Sequence, residues 1–143
     1  LFVNESASKI DSIMDEAKLD IAQIIQDKNK DELFSQIQSK YIEVIRVHEK
    51  KDLDLLDKNK YYLVDAFVDG FGGEGKRIAL EYFDNIDCSK LIIAGGLTES
   101  NLKELDGFNF YGVDVSSGVE ATKGKKDPQK MINFCKAANA LSK

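Results

Sequence analysis

The chain has 143 residues, 43% of them hydrophobic and 31% charged, enough for one globular core of ordinary composition. Its 20 Lys and Arg stand against 25 Asp and Glu, a formal net charge of −5 with no basic stripe, which argues against a nucleic-acid surface. No apolar run approaches the ~18 residues of a membrane span and no signal peptide is recognisable, so a cytoplasmic protein is expected.

In chain order, Leu1-Phe2-Val3 reads as the tail of a strand, and a chain truncated at its N-terminus is the expectation. Ser6 is placed as the N-cap of a helix carrying Ile10, Ile13, Met14 and Ala17. Leu19 to Ile25 is a second apolar strand, and Leu33, Phe34 and Ile37 give the next amphipathic face. Tyr41 to Val47 is a β-branched strand, with a short helix or turn at Leu53, Leu55 and Leu56. Tyr61 to Phe67 follows as a strand, then a Gly-rich loop from Asp69 to Lys76, then a helix from Ile78 to Phe83. Leu91 to Ala94 is a strand closed by Gly95-Gly96, and Thr98 is expected to cap a helix through Leu105. Phe110 to Val115 is the last strand, and Asp127-Pro128 opens a final helix with Met131, Phe134, Cys135, Ala138 and Leu141.

Strands alternate with helices across short connections, and the strands are apolar on both faces, which predicts an α/β fold with a parallel sheet. The last two strands end in Gly95-Gly96 and Ser116-Ser117-Gly118, the pattern of a (β/α)8 barrel that holds phosphate in the loops after strands seven and eight. The expected architecture is a single domain over 1–143, the C-terminal part of such a barrel with about five and a half βα units.

Asp65 interrupts an apolar strand just before the Gly-rich loop. A carboxyl among Leu63, Val64 and Phe67 has the setting for a raised pKa and general-acid work, against the blander reading of an inward charge satisfied by structure. Cys88 and Cys135 lack metal-ligand or disulfide spacing and read as idle thiols. His48, followed by Glu49-Lys50-Lys51-Asp52, reads as a solvated histidine, and Lys123 to Lys126 as a solvated loop or a means of steering an anion.

Several stretches together resemble phosphoribosylanthranilate isomerase. They are Val64-Asp65-Ala66 with Gly70-Phe71-Gly72-Gly73-Glu74-Gly75-Lys76, Ile93-Ala94-Gly95-Gly96-Leu97-Thr98-Glu99-Ser100-Asn101, Tyr111 to Glu120, and Gly124-Lys125-Lys126-Asp127. The resemblance runs in order along the whole chain, and Asp-Val-Ser-Ser-Gly-Val-Glu from Asp114 to Glu120 is its most specific element. It implies an Amadori rearrangement of phosphoribosylanthranilate in tryptophan biosynthesis, on a small phosphorylated substrate and with no metal or organic cofactor. It further implies that Asp65 is the general acid, that Gly72, Gly73, Gly95, Gly96, Ser116, Ser117 and Gly118 hold substrate and phosphate, and that Asp114 lines the sugar site. In the family the base is a cysteine on the first strand. That strand is not in the sequence, so these residues alone are expected to be inactive, with self-association through open barrel edges. The chain departs from the family pattern at Ile24-Ile25-Gln26 and at Arg77-Ile78-Ala79-Leu80. A non-catalytic phosphate-binding partial barrel, or another phosphosugar barrel enzyme, remains open beside this reading.

Overall fold

The computed structural model describes residues 1–54, 56–66 and 77–141. Leu55, the Gly-rich loop, and with it Gly72 and Gly73, lie outside the described residues. The chain divides into two compact units, Leu1–Ile45 and Arg46–Lys143.

The first unit contains β1 (Phe2–Val3), α1 (Ala7–Glu16), β2 (Ala22–Ile25), α2 (Lys30–Gln36) and most of β3 (Tyr41–Val47). The strands pair in parallel, Phe2 beside Ile24 and Ala22 beside Tyr41. Ala7, Ile10 and Met14 recur at helical spacing on α1 and are buried with Ala22, Ile24 and Leu33. Ser6 is the N-cap of α1, but its side chain makes no capping bond; its own N–H donates to Glu5 Oε1 at 2.9 Å. The second strand begins three residues later than the sequence suggests. Lys18 adopts φ +53°, and the N–H of Leu19 turns back to the carbonyl of Met14 at 3.0 Å, closing α1 in a Schellman motif. The N–H that would have started a ladder is used by the cap, and Leu19 and Ile21 are exposed. Asp11 ties α1 to the approach of β3. It accepts from the Ser39 hydroxyl at 2.6 Å and the Ser39 N–H at 2.9 Å, bonds that hold its carboxyl below the usual range.

The second unit takes up the chain with β4 (Tyr62–Ala66), β5 (Leu91–Ile93) and β6 (Gly112–Val113), all parallel. Tyr62, Leu63, Val64 and Ala66 are buried, as are Leu91, Ile93 and Ala94, consistent with a sheet covered on both faces. The connections differ from expectation. Where helices were predicted, 3₁₀ turns occur at Leu80–Phe83 and Leu102–Leu105, and the short helix or turn expected around Leu53 is a 3₁₀ turn at Lys50–Leu53. Asn101 rather than Thr98 stands at the N-cap of the turn at Leu102–Leu105, and its side chain braces the stretch before it. Its Oδ1 accepts the Thr98 N–H at 2.9 Å and its Nδ2 donates to the Gly96 carbonyl at 2.9 Å. The strand expected from Phe110 to Val115 is reduced to Gly112–Val113, since the aromatic flank packs sideways, Phe110 edge-on to Phe83 with ring centres 5.0 Å apart.

After β6 comes a 3₁₀ turn at Ser117–Val119, then an antiparallel hairpin of β7 (Glu120–Thr122) and β8 (Lys125–Lys126) turning at Gly124, φ +79°. The expected loop at Lys123 to Lys126 is therefore a hairpin. The final helix is α3 (Pro128–Asn139), with Pro at its start; Asp127 Oδ1 accepts from the N–H groups of Gln129 at 2.8 Å and Lys130 at 3.0 Å. No helix among the described residues is long and apolar enough to cross a membrane.

Candidate active site

The pleat of the second unit's sheet fixes where the functional side chains face. Val64 pairs with Ile93 and Ile93 with Val113, and the ladder continues one step with the Ala94 N–H on the Val64 carbonyl at 2.8 Å and the Asp114 N–H on the Ile93 carbonyl at 2.9 Å. Side chains alternate across a strand, so the next row, Asp65, Ala94 and Asp114, shares one face. Asp65 and Asp114 are then two strand spacings apart, about 10 Å between backbones, with only the methyl group of Ala94 between them.

That spacing makes the two carboxyls electrostatic neighbours. Burial pushes the carboxyl of Asp65 above the ordinary aspartate range, and the charge of Asp114 adds to the rise; a hydrogen bond from the backbone of Ala66 and the positive charge of Arg46 oppose it. The carboxyl of Asp114 is also raised by burial, but Lys126 opposes the rise. The repulsion between the two carboxylates is mutual, so ionisation of either one favours the protonated form of the other.

Beyond these strand ends lie the two turns read as a phosphate cradle. Gly95 and Gly96 have φ +90° and +61°, backbone that glycine adopts without steric cost, and Asn101 holds the turn through the Gly96 carbonyl. Gly118 packs on the backbone of Leu97: a Cβ there would lie 2.9 Å from the Leu97 carbonyl carbon and closer still to its oxygen. The two turns therefore touch, and only a glycine permits the approach. The N–H groups of Ser117 and Gly118 open the 3₁₀ turn at Ser117–Val119 and so have no acceptor inside it.

Three residues that sequence reasoning did not assign also belong here. Asn101 braces the Gly95-Gly96 turn, Arg46 acts on Asp65 through its charge, and Lys126 donates to the Ser116 carbonyl at 2.8 Å and to the Ser116 Oγ at 3.2 Å. The signal for Lys126 lay in the Thr122-Lys123-Gly124-Lys125 turn, which folds the chain back on the Ser116 loop. Other candidates stay outside the site. His48 is exposed and its backbone N–H donates to Asp52 Oδ2 at 2.7 Å. Cys88 is buried with its thiol pushed up to about 11, by burial first and then by Asp87, so it is no ready nucleophile; Cys135 is exposed on α3. Arg77, one of the departures from the family pattern, pairs with Glu104 at 2.8 Å.

The model of the N-(5'-phosphoribosyl)anthranilate isomerase family matches residues 1–137. An N-(5'-phosphoribosyl)anthranilate isomerase of Nitratiruptor sp. is 49% identical over 138 residues, 96% of this chain and 69% of that protein. One of Sulfurovum sp. is 45% identical over 141 residues, 99% of this chain and 71% of that protein. Among solved structures, the phosphoribosyl anthranilate isomerase of Thermotoga maritima superposes with a TM-score of 0.81 at 32% identity, over 98% of this chain and 71% of that one. A phosphoribosyl anthranilate isomerase in complex with reduced 1-(o-carboxyphenylamino)-1-deoxyribulose 5-phosphate gives a TM-score of 0.73 at 29% identity. These matches and the parallel strands agree in one α/β class, part of a (β/α)8 barrel. The chain belongs to the phosphoribosylanthranilate isomerase family.

Proposed function

We propose that this chain carries the general acid and the phosphate cradle of a phosphoribosylanthranilate isomerase, the isomerase of tryptophan biosynthesis, and that Asp65 is the acid. The observation that carries the reading is the row Asp65, Ala94, Asp114 on one face of the sheet, directly before two turns that touch at Gly118. In the reaction implied by the family, a protonated Asp65 gives its proton to the ribose ring oxygen, the bond from that oxygen to the anomeric carbon breaks, and the ring opens to a Schiff base. Removal of the proton on the neighbouring sugar carbon then gives an enamine that becomes the ketone. An acid for the first step has to be protonated near neutral pH, and burial beside a second carboxyl favours that state.

Asp114, kept closer to its ionised form by Lys126, suits the sugar hydroxyls as an acceptor. The turns at Gly95-Gly96 and Ser116-Ser117-Gly118 suit the phosphate, with open backbone N–H groups and hydroxyls. Gly72 and Gly73 are assigned to the substrate on the family resemblance alone. A phosphorylated compound bound to a related isomerase supports a small phosphorylated ligand, and a pathway enzyme of this kind belongs in the cytoplasm.

The test is Asp65→Asn in a chain that carries the family's upstream strands and their cysteine base together with these residues. Loss of the acid is expected to lower kcat about 10³-fold, within the range of general acid catalysis, while KM stays within a few fold. A rate near wild type would remove Asp65 from the mechanism.

Self-association is part of the same proposal. Strand β6 ends the order of paired strands, and beside it Leu105, Phe108, Phe110, Ala138 and Leu141 line a groove of about 270 Å³ with Met131 and Ile132 exposed on α3. A related isomerase from Thermotoga maritima is dimeric. Sedimentation of the protein over a range of concentrations is expected to show a dimer, and a monomer throughout would end that part of the proposal.

A further inference from the structure

The hairpin of β7 and β8 brings Lys126 back onto the turn that follows β6. Its ammonium has three N–H donors, and the structure gives each a partner: the Ser116 carbonyl at 2.8 Å, the Ser116 Oγ at 3.2 Å and Glu120 Oε1 at 3.0 Å. Glu120 is fixed in turn, since its Oε2 accepts from the Gly124 N–H at 3.1 Å and its backbone carbonyl from Lys130 Nζ at 2.7 Å. With every donor committed, Lys126 has none left for a substrate phosphate. With Glu120 beside it, much of its charge is balanced.

We propose that Lys126 is a positioning residue of the phosphate cradle, aiming the Ser116 hydroxyl and the Ser117 N–H at the substrate rather than touching it. The inference rests on the phosphate reading of this turn. Two pieces of elementary geometry carry it. In a trans peptide the carbonyl and the N–H point in opposite directions, so fixing the Ser116 carbonyl on Lys126 turns the Ser117 N–H away from Lys126. A hydroxyl that accepts a bond from an ammonium has its single proton free to donate elsewhere, and acceptance from a charged donor makes that proton a better one. Lys126 thus gives the serine turn two donors of fixed direction, and the ordering is done before the substrate arrives.

The proposal separates Lys126, which holds Ser116, from its neighbour Lys130, which braces the same hairpin through the Glu120 carbonyl. Steady-state kinetics with inorganic phosphate as a competitive inhibitor read the difference. Lys126→Met is expected to raise both KM and the phosphate inhibition constant about 10-fold, the loss of roughly one well-made charge-assisted bond, with kcat within about threefold. Lys126→Arg should recover most of the affinity, and Lys130→Met should leave both constants unchanged. Should Lys126→Met fail to fold because Glu120 is left unpaired, Glu120→Gln with Lys126→Met removes that charge and is read the same way. If Ser116→Ala weakens phosphate while the Lys126 variants do not, the positioning role is overturned and the cradle stands. If neither Ser116→Ala nor Gly118→Ala alters phosphate inhibition, the cradle itself falls.

Discussion

The strand ends of β4 and β6 present the same residue type on the same face, yet Asp65 and Asp114 have different neighbours. Asp65 is half-buried and Asp114 is exposed at the strand end, yet partial desolvation raises both carboxyls. Asp65 also has the charge of Asp114, and its opposing influences are a backbone hydrogen bond and Arg46; Asp114 has Lys126, which is held in place by Ser116 and Glu120. One sheet thus offers two carboxyls that are both raised, each with a different cation opposing the rise. The difference comes from the cations placed near each, Arg46 on β3 beside Asp65 and Lys126 on the β7–β8 hairpin beside Asp114.

The comparison can be broken at its geometric base first. Gly118→Ala places a methyl group against the Leu97 backbone, which cannot yield as a side chain could. Separating the two turns is expected to raise the phosphate inhibition constant about 100-fold, since displacements near 1 Å cost that much in positioned sites; an unchanged constant would show that the contact is dispensable. Next, Asp114→Asn removes the like charge that raises Asp65. The basic limb of the kcat profile, where the acid loses its proton, should move to lower pH, and a shift to higher pH would reverse the assignment.

A smaller effect lies in stability. A carboxyl raised on folding binds its proton more tightly in the folded state, so its favourable contribution is complete below the unfolded aspartate pKa and is lost as pH rises through the raised value. Asp65→Asn should therefore melt higher than wild type at pH 7, and the gap should close as pH falls below the usual aspartate range. The smallest change tests the part remote from both carboxyls. Asp127→Ala removes the cap of α3 and should cost about 1 kcal/mol, a few degrees of melting temperature, with kcat unaltered; a large loss of rate would tie α3 to the chemistry.

The strands that carry the candidate site are legible in the sequence. Strands appear where Tyr41 to Val47 and Tyr62 to Ala66 run, the first marked by its β-branched Ile42, Val44, Ile45 and Val47 and the second by the buried run Tyr62, Leu63 and Val64. Asp65 stood out since a carboxyl inside such a run has few structural reasons to be there. The connections were harder. A 3₁₀ turn and a short α-helix share spacing over one turn, and side-chain bonds such as those of Asn101 decide between them only after the chain has folded. The Schellman closure at Lys18 was hidden because glycine usually takes that position. The hairpin at Gly124 was hidden for another reason: its strands are two and three residues long and highly charged, so no alternation reveals them.

The protonation of Asp65 decides the account most directly, and carbon-13 NMR of its labelled carboxyl over a pH titration measures it. The expected result is a midpoint above the ordinary aspartate range that falls when Asp114 is replaced by Asn. A midpoint at or below the ordinary range, unmoved by that replacement, would mean that Asp65 is ionised when substrate binds and cannot be the acid.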